Sequence, residues 1–313
     1  MPEQVSPRPG HGAAMAGTRR RIVVDTDGGV DDLVALAWLL CLPEVDVPAV
    51  IATGGARTVD VVGAAVTHVL KTLAPVRRPL LLRGAEVTPA RRTSVPSGVH
   101  LHGEYGLGTL VPPCGPEFGG GMDDEALPPH TDYLVLGPCT TAARIASQGG
   151  HRPGEAWLTV MGGAFSLPGV VQGAEPNFAR DPHAARLLLT NPPGKGVRIV
   201  PTDVTTQARC PDTAVRYALA GGEGWLRLRA QLLAYYWSAG SARYCHDLVA
   251  AAVAVCPGMV TAEVAAAVTV DENGRSSMTA AAGSAVRVVH GLHEARWRAV
   301  ARGWASNREM AAC

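Results

Sequence analysis

Four carboxylates stand within eight positions of the segment VDTDGGVDD: Asp25, Asp27, Asp31 and Asp32. The apolar runs RIVV and LVALAWLL flank them, and no Lys or Arg lies between Ile22 and Leu42. Such a group cannot be buried and ionised without a counter-charge. A divalent cation supplies one, and hard carboxylate oxygens suit Ca²⁺ or Mg²⁺ better than zinc. Gly28 and Gly29 allow the turn that folds the carboxylates inward. Asp31 and Asp32 also fit the start of a helix, where negative charge meets the positive end of the dipole. A single Asp there would read as a cap; the cluster points to metal binding or catalysis. The spacing is not that of an EF-hand, since no further acidic ligand closes the loop. Nor is it a P-loop, since the Lys and following Ser/Thr are missing.

The elements that must position this cluster follow from the apolar patterning. Short runs rich in Val, Ile and Leu read as buried strands at 21–25, 47–53, 79–83, 132–136, 156–161, 197–201 and 285–290. Helix-like segments lie at 31–42, 59–72, 139–148, 181–190, 246–255 and 293–304. A further helical stretch over 211–240 is interrupted by Gly221, Gly222 and Gly224. The length allows one large α/β domain or two small ones, and this alternation predicts a mainly parallel sheet flanked by helices. The loop 84–130 is rich in Pro and Gly, and loops of that length are often functional. Ligands of such sheets bind at the carboxyl ends of the strands. DTDGGVDD, LGPCTT, MGGAF and PTDVTTQ each directly follow a strand pattern, so all four are expected at one edge.

Composition narrows the classes. The chain has 313 residues, 47% hydrophobic and 18% charged, with a formal net charge of +1, so no strong field points to nucleic acid or an anionic membrane. Aromatics at 5% are too few for a base-stacking platform. No apolar stretch is long enough to span a membrane. Residues 1–18 read as a mobile tail without a secretory signal, and 19–313 as the domain. The seven cysteines, at 41, 114, 139, 210, 245, 256 and 313, are scattered and form no CxxC. They read as free thiols in a reducing, cytoplasmic compartment.

The motifs resemble those of the inosine–uridine-preferring nucleoside hydrolases. VDTDGGVDD is similar to the family's D-x-D-P-G-x-D-D, with Gly28 where proline is usual. In order along the chain, HGEYGLG (102–108), LGPCTTAA (136–143), MGGAF (161–165), AEPNFARDPHAA (174–185) and HDLVAAA (246–252) resemble the family's remaining motifs. The resemblance implies a single Rossmann-like α/β domain with a mainly parallel mixed central sheet flanked by helices, and hydrolysis of a ribonucleoside N-glycosidic bond, on a nucleoside or modified nucleoside, by a homodimer or homotetramer. It implies a Ca²⁺ ion held by Asp27, Asp32, Asp247 and the main-chain carbonyl of Thr140, with Asp27 as general base toward a water on that ion. Asp31, Asn177 and Asp247 would bind the ribose 2′- and 3′-hydroxyls and Glu175 the 5′-hydroxyl, with Met161 close to the sugar. His246 would sit near the base as leaving-group acid, as in the purine- and inosine-active members. A cation that acidifies water, a carboxylate that takes its proton and negative charge beside an oxocarbenium-like sugar are what this reaction needs.

Departures from the family pattern bear on specificity. Gly55 and Gly169 stand where the family usually places ribose-binding asparagines, and Pro176 replaces an aromatic between Glu175 and Asn177. The two glycines are expected to leave open space, which implies weak activity on plain ribonucleosides or a substrate with an altered or bulkier sugar. The alternatives are a non-catalytic nucleoside or sugar binder that keeps the metal site, and a hydrolase of another ribosyl compound in a biosynthetic pathway. Among the remaining polar residues, Asp25 reads as a brace, Asp203 as a turn or cap residue, and the His100/His102 pair as part of a loop over the site mouth. Cys245 has no base beside it in sequence and does not read as a nucleophile.

Overall fold

The computed structural model describes residues 19–88, 91, 94–121, 131–148, 156–210, 216, 222–239, 244–256 and 258–305. The reading of residues 1–18 as a tail lies outside these residues, as does much of 211–224.

The chain forms an 11-stranded mixed sheet in the order β10-β9-β11-β8-β7-β6-β1-β3-β4-β5, with β2 pairing β1 off that path. The strands are β1 (Arg20–Thr26), β2 (Val45–Asp46), β3 (Ala49–Ala52), β4 (Leu80–Arg83), β5 (Gly120–Gly121), β6 (Asp132–Val135), β7 (Trp157–Met161), β8 (Gly196–Val200), β9 (Val260–Val270), β10 (Ser276–Ala280) and β11 (Val286–Leu292). All pairings are parallel except β9 with β10 and β9 with β11. The seven strands read from the sequence are all present; their continuous apolar runs suit a sheet covered on both faces.

Sequence patterning misses the β9–β10 hairpin. AEVAAAVTV is rich in alanine, which carries little strand signal. The turn between the strands was nonetheless written in DENG. Asp271 Oδ1 accepts the N–H groups of Asn273 at 2.8 Å and Arg275 at 2.9 Å, and Gly274 takes φ +87°.

The helices are α1 (Val30–Cys41), α2 (Val59–Leu73), α3 (Val99–His102), α4 (Thr140–Ser147), α5 (Pro176–Arg180), α6 (Pro182–Thr190), α7 (Thr202–Thr205), α8 (Trp225–Ser238), α9 (His246–Val255) and α10 (Glu294–Ala305). Helix α1 is buried from Val30 to Leu39 and α9 from Asp247 to Val255, and the two pack together. Both are apolar on every side, as helices enclosed by other elements must be. Their N-termini carry Asp31, Asp32 and Asp247, so burying this helix pair brings three carboxylates to one place.

β1 is central. The chain proceeds from it outward through β3, β4 and β5, then returns to β6 on its other side and continues through β7 and β8. The order therefore reverses at β1 and β6, which is where an open α/β sheet forms a crevice at its carboxyl edge.

No helix among the described residues is long and apolar enough to cross a membrane. Cys41, Cys114, Cys139, Cys210 and Cys245 are thiols, but Cys256 is disulfide-bonded. The expectation of free thiols throughout is corrected at that position; scattered spacing in sequence says nothing about proximity in the fold.

Candidate active site

The turn after β1 is built by its own side chains. Thr26 Oγ1 donates to Asp32 Oδ1 at 2.7 Å, which also accepts Asp27 N–H at 3.2 Å. Asp32 Oδ2 accepts Gly29 N–H at 3.1 Å, so Asp32 does cap α1. Asp25 is fully buried and serves as the brace, accepting Tyr133 O–H at 2.8 Å and the Thr53 hydroxyl. Burial pushes its carboxyl up to about 7.

Asp31, Asp32 and Asp247 are all buried, and each offers a carboxylate oxygen within 4.8 Å of the others. Desolvation raises all three: Asp31 to about 6, with repulsion from Asp27 adding to it, Asp32 to about 6, with repulsion from Asp31 adding to it, and Asp247 well above the usual carboxylate range. Repulsion from Asp32 and Asp31 adds to the shift of Asp247, so the three cannot all stay ionised without a counter-charge. A buried, all-oxygen group that must hold protons to stay together fits a hard divalent cation in their place.

Asp27 lies outside that trio but beside it, and it is only partly buried. Burial and then repulsion from Asp32 push its carboxyl up to about 7, while Arg180, Arg57 and the Ala56 N–H act in the opposite direction. Thr140 opens α4 at the neighbouring strand end, and its hydroxyl donates to Asp181 Oδ2 at 2.8 Å.

The residues expected at the sugar are partly committed to the scaffold. Glu175 is 2% exposed and caps α5, accepting N–H groups from Asn177 at 2.9 Å, Phe178 at 3.0 Å and Gly163 at 3.2 Å. Desolvation nevertheless raises it to about 7. Asn177 Nδ2 donates to Leu136 O at 2.7 Å and Met161 O at 3.1 Å, which ties β6, β7 and α5 together. Asp203 holds the loop after β7, accepting Phe165, Ser166 and Leu167 N–H at 2.8, 2.5 and 2.8 Å. His246 is half-buried, with Nδ1 2.6 Å from Thr205 Oγ1 and its ring stacked on Tyr244. Burial lowers it to about 4, so it is neutral at pH 7.

The expectation of open space at Gly55 and Gly169 is wrong. A Cβ on Gly55 would stand 2.0 Å from Asp27 Oδ2 and 2.7 Å from its Cγ. On Gly169 it would stand 2.1 Å from the main-chain carbonyl of Ala174. The space that a side chain would need is filled by Asp27 in one case and by the bridge-forming segment 169–174 in the other. A missing side chain in a sequence reveals nothing about what occupies its place.

Three site residues were not found from sequence. His102 is not merely over the mouth: its Nδ1 accepts Val30 N–H at 3.2 Å and lies 3.6 Å from Asp31 Oδ1, with Tyr236 against its ring and donating to Asp31 Oδ2 at 3.2 Å. His102 opens the HGEYGLG motif, and that was the available signal. Arg57 and Arg180, 6% and 4% exposed, are the other two. Their electrostatic partners include Asp27, which no local spacing could reveal.

Comparison with known proteins agrees with this geometry. Pyrimidine-specific ribonucleoside hydrolase RihA of Salmonella schwarzengrund (strain CVM19633) is 29% identical over 226 residues, covering 69% of this chain and 70% of that protein. Probable uridine nucleosidase 2 of Arabidopsis thaliana is 30% identical over 189 residues, covering 56% and 57%. The fold matches the plant nucleoside hydrolase PpNRh1, with TM-score 0.78 and 19% identity over 92% of this chain and 99% of that one. It also matches a purine-preferring ribonucleoside hydrolase from Gardnerella vaginalis, with TM-score 0.75 and 21% identity over 91% and 99%. The family described as inosine-uridine preferring nucleoside hydrolase matches residues 22–302, nearly the whole described chain. The chain therefore belongs to that family of N-glycosyl hydrolases.

Proposed function

We propose that the protein hydrolyses the N-glycosidic bond of a ribonucleoside or modified ribonucleoside with the help of a divalent cation; the oxygen donors suit a hard ion, and the family resemblance makes it Ca²⁺. The observation that carries this reading is the partly exposed Asp27 beside the buried Asp31–Asp32–Asp247 group, at the point where the strand order reverses. Asp31, Asp32 and Asp247 would hold the cation, with Asp27 and the Thr140 carbonyl at its open side. Such an ion would fix the position of a water and polarise it, leaving the removal of its proton to a neighbouring carboxylate.

Asp27 is the proton acceptor. It is partly exposed, unlike Asp31, Asp32 and Asp247, and so is open to a water on that side. The remaining carboxylates stabilise positive charge as it develops on the sugar. His246, neutral at pH 7, would orient the leaving base by hydrogen bonding. Uridine and inosine are the first compounds to assay, because relatives include pyrimidine-specific and purine-preferring enzymes.

A second reading is a nucleoside binder that keeps the metal site. The commitment of Glu175 to three main-chain donors favours it. Chromatography of free base from a nucleoside panel separates the two. Base release that grows with time supports the hydrolase; saturable binding with the nucleoside recovered intact supports the binder.

A further inference from the structure

A cavity of about 300 Å³ has Arg20, Arg198, Val253, Val260, Thr261 and Glu263 in its wall. Arg20 opens β1, and the aspartate turn follows the other end of that strand. Asp247 stands in the first turn of α9 and Val253 in its last. The cavity therefore lies at the amino edge of the sheet, across the molecule from the candidate active site.

Its polar wall is made of guanidinium groups that other residues hold in place. Arg20 turns Nε and Nη2 onto Asp132 Oδ2, at 2.8 and 2.6 Å. Arg198 is half-buried, donates from Nε to Glu263 Oε2 at 2.8 Å, and sets its guanidinium carbon 4.7 Å from the centre of the Trp157 ring. Stacking and one bond fix its plane, while Nη1 and Nη2 have no partner among the described residues. A third arginine, Arg296 of α10, has neither an ion pair nor a side-chain hydrogen bond among the described residues. It lies over Gly258, which also lines the cavity: a Cβ on Gly258 would stand 3.5 Å from Arg296 Cζ and Nε and 3.6 Å from Nη2.

Asp132 and Glu263 balance Arg20 and Arg198, so Arg296 leaves the cavity with one positive charge unmatched. The three guanidinium groups come from β1, β8 and α10, and so reach it from different directions. A carboxylate is planar and offers two oxygens to one fork, whereas a phosphate offers oxygens to several forks at once. Val253 and Val260 form an apolar wall, and the volume leaves room for a small organic body beside the phosphate. We propose that this cavity is a binding site for a phosphate group, free or carried by a small ester, held by Arg198, Arg296 and Arg20.

The test is calorimetry of the whole protein with inorganic phosphate, glycerol 3-phosphate and acetate at matched ionic strength. The phosphates are expected to saturate a single site per chain and to bind at least about tenfold more tightly than acetate. The tighter of the two shows whether the ligand is the free ion or an ester. Arg296→Gln and Arg198→Gln should each weaken phosphate binding about tenfold or more. Arg298→Gln, on the same helix but paired with Glu294, should leave it unchanged. Because Arg198→Gln strips Glu263 of its partner, Thr261→Glu serves if that variant misfolds: the position is exposed on the cavity wall, and its carboxylate should exclude phosphate. Absence of saturable binding, acetate as tight as phosphate, or wild-type affinity in both Arg296→Gln and Thr261→Glu overturns the proposal. So does an equal loss in Arg298→Gln, which would mean that phosphate senses only the charge of α10.

Discussion

Replacing Gly55 by alanine tests whether Asp27 is placed as a base. The new Cβ would stand 2.0 Å from Asp27 Oδ2, 2.6 Å from its Cβ and 2.7 Å from its Cγ. Relaxed carbon contacts need about 3.5–4.0 Å, so the side chain must move by roughly 1 Å or more. A displacement of about 1 Å at a reacting group costs on the order of 10²-fold in rate. Overpacking adds a stability cost of about 1–3 kcal/mol, seen as a lower Tm. Gly55→Asn should fare no better, contrary to the idea that it would restore a sugar contact. The assay is steady-state base release beside a thermal melt, with Gly115→Ala as control, because nothing lies within 4 Å of a Cβ there. If Gly55→Ala keeps its melting point and turns over within threefold of wild type, Asp27 either is not held against Gly55 or is not the base.

Further outcomes follow from the same geometry. Asp27→Asn, nearly isosteric, should keep the fold and lower kcat by about 10²–10⁴-fold, measured by base release. Asp247→Asn removes a member of the carboxylate group and should abolish the calorimetric signal of Ca²⁺ binding; an unchanged isotherm would place the cation elsewhere. Asp25 is protonated more readily folded than unfolded, with a carboxyl near 7 against 3.8. Its contribution is therefore full below about 4 and lost as pH rises through about 7, worth on the order of 4 kcal/mol at most. Asp25→Asn should flatten the fall in Tm between pH 5 and pH 8 in chelator, and an equally steep fall in the variant would show that another group is responsible.

What was legible in the sequence depended on range. Strands such as Ile22–Val24 and Ala49–Ala52 announce themselves because both faces are buried and every residue is apolar. The aspartates of the first turn were legible because one short loop holds them, whereas Asp247 was legible only through the resemblance of HDLVAAA to a family motif. His102, Arg57 and Arg180 arrive from distant segments, so their convergence is a property of the packed sheet. Gly55 and Gly169 were misread because the occupants of their space, Asp27 and the Ala174 carbonyl, lie 28 and 5 positions away in the chain. The Arg residues missing from the first loop, which made a cation seem the sole remedy for its charge, are supplied in part by Arg57 and Arg180 from elsewhere.

The most direct measurement of the central claim is base release from a hydrolysed substrate by chelated enzyme as Ca²⁺ is added back. The account predicts no release in chelator and recovery that rises linearly until cation and chain are equimolar, with none recovered in Asp247→Asn. Full turnover in chelator, or recovery in Asp247→Asn that matches wild type, would contradict it.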